Sequence, residues 1–319
     1  MRLLNWIPLT TPTPIKSFPK RLIKKWRFMV SNLVVTIEVK FNFVGARVVG
    51  ETPSGSTLLR LNKDYALGRK GTDLEIPQDQ VIFESVKRWG AWELEESEFL
   101  ASGLRKIGKL PNVKRALLDI GANTGLVTLQ VMNLSKTDIE VFLFEPIPRH
   151  VSAIKHNLKD FSNIHINEFA LSDENGTSEI FTQATNHGNT SLLKSVVPHD
   201  ERISTPIQLV DTGEYCANYF KGFDKYAIKC DTQGMDALIL SRIPDVMWKN
   251  TEVAVVEVWA LPEIYERDVT HLLTMFQYFK YFSWSPKSQN IKNISEIGDY
   301  WLSKSGDSRN LFLSKTFPL

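Results

Sequence analysis

The chain has 319 residues, room for one large domain with an extension. Hydrophobic residues make up 43% and charged residues 23%, which excludes a disordered, collagenous or multi-span membrane protein. A formal charge of +2 does not indicate a nucleic-acid binder.

The charge is unevenly placed. Residues 1–30 contain Arg2, Lys16, Lys20, Arg21, Lys24, Lys25 and Arg27 and no acid, so +7 there leaves −5 for the rest. From Ser17 a helix would show Leu22, Trp26, Met29 and Leu33 on one face. That pattern reads either as a peripheral contact with a membrane surface or as a solvated arm folded onto its own domain. The apolar run Leu3 to Leu9 is broken by Asn5 and Pro8 and lacks a small-residue cleavage site, so no signal peptide is expected. No stretch reaches the roughly 20 apolar residues of a membrane span. Cys216 and Cys230 form no redox or metal pair, and the six histidines show no ligand spacing. A cytoplasmic protein without a held metal is expected.

Val35, Ile37, Val39, Phe41 and Phe43 alternate with polar residues, the period of a half-buried strand. Arg47 to Val49, a Pro53-Ser54-Gly55 turn and Thr57 to Leu61 continue as a small antiparallel meander ending near Gly71. The chain divides on this reading into an arm with a small β extension, 1–74, and a main domain, 75–319. Residues 81–107 read as helical. After Pro111 come short, nearly continuous apolar runs: Ala116 to Ile120, Val141 to Phe144, Ile164 to Phe169, Tyr226 to Cys230 and Val253 to Val258. Helical stretches, among them Val151 to Leu158 and Ile264 to Phe279, lie between or after them. Buried parallel strands have this texture, and right-handed crossovers make the sheet doubly wound. Tyr281 to Trp284 and Asn310 to Leu313 are expected to pair antiparallel at one edge.

In such a sheet ligands sit beyond the carboxyl ends of the strands, where strand order reverses. The first run ends in Asp119-Ile120-Gly121-Ala122-Asn123-Thr124-Gly125. Gly121 and Gly125 permit a tight turn, Asn123 tolerates a positive φ, and the next helix offers free N–H groups. The second run ends in Phe144-Glu145-Pro146, a carboxylate suited to ribose hydroxyls. The third leads into Phe169-Ala170-Leu171-Ser172-Asp173, an apolar wall with polar flanks suited to an adenine ring. Three strand tips thus describe a nucleoside pocket.

These motifs, with Trp89-Gly90-Ala91-Trp92-Glu93 before them and Lys229-Cys230-Asp231-Thr232-Gln233-Gly234 and Val256-Glu257-Val258 after, resemble the FkbM family of S-adenosylmethionine-dependent methyltransferases over residues 80–260. The resemblance implies a class I methyltransferase fold, Rossmann-like, with a mostly parallel seven-stranded sheet. It further implies Asp119, Gly121, Asn123, Thr124 and Gly125 around the methionine part of the cofactor. Glu145 and Pro146 would lie at its ribose, and Ala170, Leu171 and Ser172 at its adenine. Family members that methylate hydroxyl groups act on sugars, glycolipids and polyketides.

A sulfonium donor favours a non-basic pocket with a carboxylate near its ammonium. Asp231, at the tip of the fourth strand, is read as base or acceptor-orienting group, its competing role being to cap a helix starting near Met235. Glu257 is a second candidate, with structural hydrogen bonding as its alternative. Family members often have Glu where Gln233 stands, so a proton-accepting role does not transfer to that position. His187, in a polar stretch after the third strand, is a third candidate base or a solvated loop residue. Trp89, Trp92, Trp259 and Trp284 could offer flat faces to sugar rings or simply fill the core. The reading is O-methyl transfer to a hydroxyl of a carbohydrate or glycoconjugate. Its rivals are a nicotinamide-dependent oxidoreductase, which would want Gly-x-Gly-x-x-Gly at the first turn, and a non-catalytic cofactor-binding scaffold.

Overall fold

In the computed structural model, residues 45–183, 186–197, 202–287 and 290–316 are described, with backbone only at 186–189. The basic arm and the expected strand from Val35 to Phe43 lie outside them. Residues from Gly45 onward form one compact unit.

Its order begins with three antiparallel strands, β1 (Ala46–Glu51), β2 (Thr57–Leu61) and β3 (Asp73–Ile76); the first two were expected, whereas β3 lies beyond the end near Gly71 that the sequence suggested. Two helices follow, α1 (Gln80–Trp89) and α2 (Leu94–Ile107), where the sequence suggested one helical stretch. Gly90 breaks it, taking φ 70 to cap α1 through a backbone N–H to the Val86 carbonyl.

The large sheet alternates strand and helix: β4 (Arg115–Ile120), α3 (Leu126–Ser135), β5 (Glu140–Phe144), α4 (Pro148–Asn157) and β6 (Ile164–Asn167). It resumes with β11 (Lys225–Cys230), α6 (Asp236–Ser241), α7 (Asp245–Asn250), β12 (Thr251–Trp259), α8 (Glu266–Phe276), β13 (Tyr281–Ser283), α9 (Ser295–Trp301) and β14 (Ser308–Ser314). Spatial order is β13-β14-β12-β11-β4-β5-β6. Strand β14 runs antiparallel to both β12 and β13, and the strands from β12 to β6 are mutually parallel. Numbered within this sheet, the order is 3-2-1-4-5-7-6 with the seventh strand reversed, the Rossmann-like arrangement of class I methyltransferases.

Period-two alternation decides which residues feed which core. Ala116, Leu118 and Ile120 of β4 join Ile228, Cys230, Val256 and Leu311 in one apolar layer, covered by α6 to α9. Leu117, Val141, Ala227, Val253 and Phe312 face the other layer, covered by α2, α3 and the small β1–β3 sheet. Cys230 is buried as expected, at 1% exposure.

A third sheet was not foreseen. Strands β7 (Ala170–Ser172), β8 (Gly176–Gln183), β9 (Asn186–Ser191) and β10 (Arg202–Asp211) form a four-stranded sheet in the order β7-β10-β8-β9, followed by α5 (Thr212–Tyr219). The polar stretch around His187 is therefore a strand rather than a loop. Among the described residues, no helix is long and apolar enough to cross a membrane.

Candidate active site

Strand order reverses between β4 and β11, and a cavity of about 370 Å³ opens beyond their carboxyl ends. Gly121, Asn123, Thr124, Glu145, Pro146, Ala170, Leu171 and Asp231 all line it. The first turn requires its glycine: Gly121 has φ +77, and a Cβ there would lie 1.8 Å from the Asp231 carbonyl oxygen. Asn123 takes the positive φ anticipated for it, 49°, and Gly125 starts α3 at φ 73.

Glu145 fixes this turn to the second strand. Its Oε2 accepts the Asn123 N–H at 2.8 Å and its Oε1 the Ile147 N–H at 3.0 Å, with His150 Nδ1 at 3.3 Å. A carboxylate has about four lone-pair directions, so Oε2 retains acceptor capacity, whereas Oε1 is already shared. Ala170 and Leu171 contribute an apolar wall, extended by Ile180, Leu192 and Val196 from the inserted sheet and its following loop.

Asp119 stands outside the lining. It is 1% exposed, accepts the Thr128 hydroxyl at 2.6 Å, and lies opposite Lys229 in the β4–β11 register, with Lys229 Nζ 3.5 Å away. Lys229 itself reaches the cavity wall, donating to the Gly121 carbonyl at 2.8 Å and lying 3.7 Å from Asp231. Burial alone would lower its pKa, but Asp231, Asp119 and Glu93 together raise it above the ordinary lysine value. A cation thus stands where the sequence suggested none, neutralised by carboxylates. Ser172, Gly125 and Glu257 are also absent from the lining; Ser172 is buried and hydrogen-bonds Asp173.

Asp231 caps no helix. Asp236 fixes the following turn instead, accepting the Thr232 N–H at 3.0 Å and the Gly234 N–H at 3.1 Å. Gln233, at φ 54, bridges two acids: its Nε2 donates to Asp231 at 2.8 Å and to Glu257 at 2.9 Å. Glu257 therefore stands behind the lining, linked to it through Gln233 and Asp231. Burial, then the charges of Asp231 and Asp236, push the Glu257 pKa well up. Burial likewise acts to raise that of Asp231, but Lys229 and hydrogen bonds from Glu257 and Gln233 prevail and lower it. The pair is thus driven apart, the Asp231 pKa downward and the Glu257 pKa upward.

Sequence reasoning assigned no role to Glu93 or Thr232, both of which line the cavity. Of the four tryptophans considered, Trp92 and Trp259 line it, Trp89 is 55% exposed, and Trp284 packs on Tyr300. His187 lies in β9, and its side chain is outside the described residues.

No family model matches this sequence, and no curated protein matches it. Among solved structures, the FkbM methyltransferase of Methylobacillus flagellatus KT is 13% identical, with 67% of this chain and 47% of that chain covered and a TM-score of 0.35; this chain therefore spans just under half of it. Fibrillarin of Aeropyrum pernix, crystallised with natively bound S-adenosyl-L-methionine, is 13% identical over 85% of this chain and 99% of its own, TM-score 0.35. A SAM-dependent methyltransferase of Agrobacterium tumefaciens is 10% identical over 84% and 76%, TM-score 0.36. Likenesses this low carry no weight beside the strand order and the site itself.

Proposed function

We propose that the protein is an S-adenosylmethionine-dependent O-methyltransferase acting on a hydroxyl of a carbohydrate or glycoconjugate. The observation that carries this reading is convergence: a glycine turn with no room for a Cβ, a second-strand carboxylate bound to that turn, and a fourth-strand acid all meet in one cavity. The residues suit the donor. Glu145 Oε2 keeps capacity for a ribose hydroxyl, Ala170 and Leu171 provide an apolar bed, and Thr232 Oγ1 is a buried hydroxyl left without a hydrogen bond. The lining acids Glu145 and Asp231 with the paired Lys229 suit a cationic ligand.

When bound, the donor supplies an electrophilic methyl carbon. The chain's own part is to hold an acceptor hydroxyl in line and exclude water, which is where much of the acceleration in such a displacement arises. Asp231, fixed by Gln233 and Lys229, is placed to orient that hydroxyl. Trp92 and Trp259 also line the cavity, and aromatic surface of this kind suits a sugar ring, which favours a carbohydrate acceptor.

Calorimetry with S-adenosylmethionine and S-adenosylhomocysteine, followed by incubation of labelled donor with fractionated glycans, glycolipids and small metabolites, tests this. Binding of both and label in a glycan or glycolipid fraction are expected. Failure to bind either, or label in no fraction, overturns methyl transfer; label confined to another class overturns the carbohydrate assignment.

A further inference from the structure

Glu93 precedes α2 with φ 42 and ψ 54, a left-handed conformation that is costly for a residue bearing a Cβ and that tends to persist where surrounding structure enforces it. Its side chain does not cap the helix, and no hydrogen bond to its carboxylate is found among the described residues. Instead it lines the cavity together with Lys229, Asp231 and Gln233.

The other acids of the cavity are committed. Asp231 accepts from Gln233 at 2.8 Å and from the Glu257 carboxyl, and lies 3.7 Å from Lys229. Glu145 is held by Asn123, Ile147 and His150. Asp79 accepts the Ile82 N–H at the start of α1. Among the described residues, Glu93 alone of these lining carboxylates has no hydrogen bond to either oxygen.

We propose that Glu93 takes the proton from the acceptor hydroxyl during methyl transfer, while Asp231 only orients that hydroxyl. The assignment rests on the methyltransferase reading above. A lone pair of the hydroxyl oxygen forms the bond to the methyl carbon, and the carbon–sulfur pair returns to sulfur. The O–H pair stays on the oxygen as its proton passes to a Glu93 carboxylate oxygen.

The charged groups around Glu93 suit this task. Burial, then the negative charge of Asp231, pushes its pKa up to about 8. Lys229 opposes the rise, while Glu96 on its own helix and Asp119 on β4 add to it. A base is most effective when its pKa lies near the working pH, a condition that Asp231, lowered below the ordinary carboxylate value, does not meet. Glu93 acts only when ionised, so transfer quickens as pH rises through that range, and a cationic donor in the cavity displaces the limb downward.

Wild type, Glu93→Gln, Glu93→Asp and Asp231→Asn decide the matter in three measurements. Infrared difference titration of donor-free wild type against Glu93→Gln is expected to show a protonated carboxyl band lost between about pH 7 and 9, as burial beside an anion requires. Calorimetry is expected to give S-adenosylmethionine dissociation constants for wild type and Glu93→Gln within about threefold, as a group acting chiefly on the proton transfer allows. Transfer to the acceptor fraction labelled by wild type is expected to fall about 10²- to 10⁴-fold in Glu93→Gln. The alkaline rise disappears with it, returns in part in Glu93→Asp, and persists in Asp231→Asn. If wild type binds no donor or labels no fraction, the methyltransferase reading falls and Glu93 with it. If wild type transfers normally and Glu93→Gln keeps its rate and pH limb, or the infrared band is absent, only the Glu93 assignment falls.

Discussion

The two halves of the cavity are built on opposite principles. On the β4–β5 side, one backbone N–H from each of the two strand-end turns is drawn onto one carboxylate, Glu145, and the shape depends on a glycine. On the β11–β12 side, side chains dominate: Lys229, Asp231, Gln233 and Glu257 form a chain of polar contacts, and Asp236 holds the backbone of the same turn. The first half is a steric mould and the second an electrostatic one. They should therefore fail in different ways, the mould regardless of pH and the charged network as a function of it.

The largest effect is expected from Gly121→Ala. Its methyl group would overlap the Asp231 carbonyl, and a rigid backbone neighbour cannot yield cheaply, so unfolding in urea should show a loss of ~4 kcal/mol or more at every pH. A loss under ~1 kcal/mol would mean that the mould is soft. Lys229→Met comes next. It strands Asp119 and Asp231 without their cation, which for a buried pair costs about 3–5 kcal/mol at pH 7. Without the Lys229 charge that lowers its pKa, Asp231 protonates more readily, so the deficit should shrink at pH 5; an equal deficit at both would deny the network its electrostatic character.

Glu145→Ala is expected to cost about 1–2 kcal/mol, since the Asn123 and Ile147 N–H groups lose their acceptor. It should also reduce the thermal shift produced by S-adenosylmethionine. Full retention of that shift would separate Glu145 from the ligand. The smallest effect belongs to Gln233→Glu, which sets a third carboxyl between Asp231 and Glu257. Burial beside anions raises its folded-state pKa, so the substitution should be near neutral at pH 4 and cost about 1 kcal/mol at pH 8. Denaturation curves at the two values check the sign.

How far the sequence revealed this molecule follows from the same contrast. The parallel strands were legible because burial on both faces makes them continuous apolar runs, as in Ala116 to Ile120. The mould was legible because tight turns demand particular residues, as Gly121 and Asn123 show. The inserted sheet was hidden: β8 is largely polar and β10 half so, and Ile180, Ile207 and Leu209 make only a small core with Ile147, so they resembled loop. The charged network was only half visible. Asp231 and Glu257 could be placed at strand tips, but Lys229 sits within an apolar strand and gives no local sign of its partner across the register. Glu93 depends on the backbone bend before α2, which no spacing in the sequence announces.

The reversed strand β14 has a consequence for synthesis. It is the last of the described strands, yet it is wedged between β12 and β13, with Leu311 and Leu313 fully buried. Until the ribosome has delivered residues 308–314, β12 keeps an unpaired edge while the rest of its sheet is already present. Such an edge is a template for other chains. Nascent copies on one messenger are therefore most prone to cross-pairing in the interval between synthesis of β12 and of β14, and chaperone occupancy should peak there.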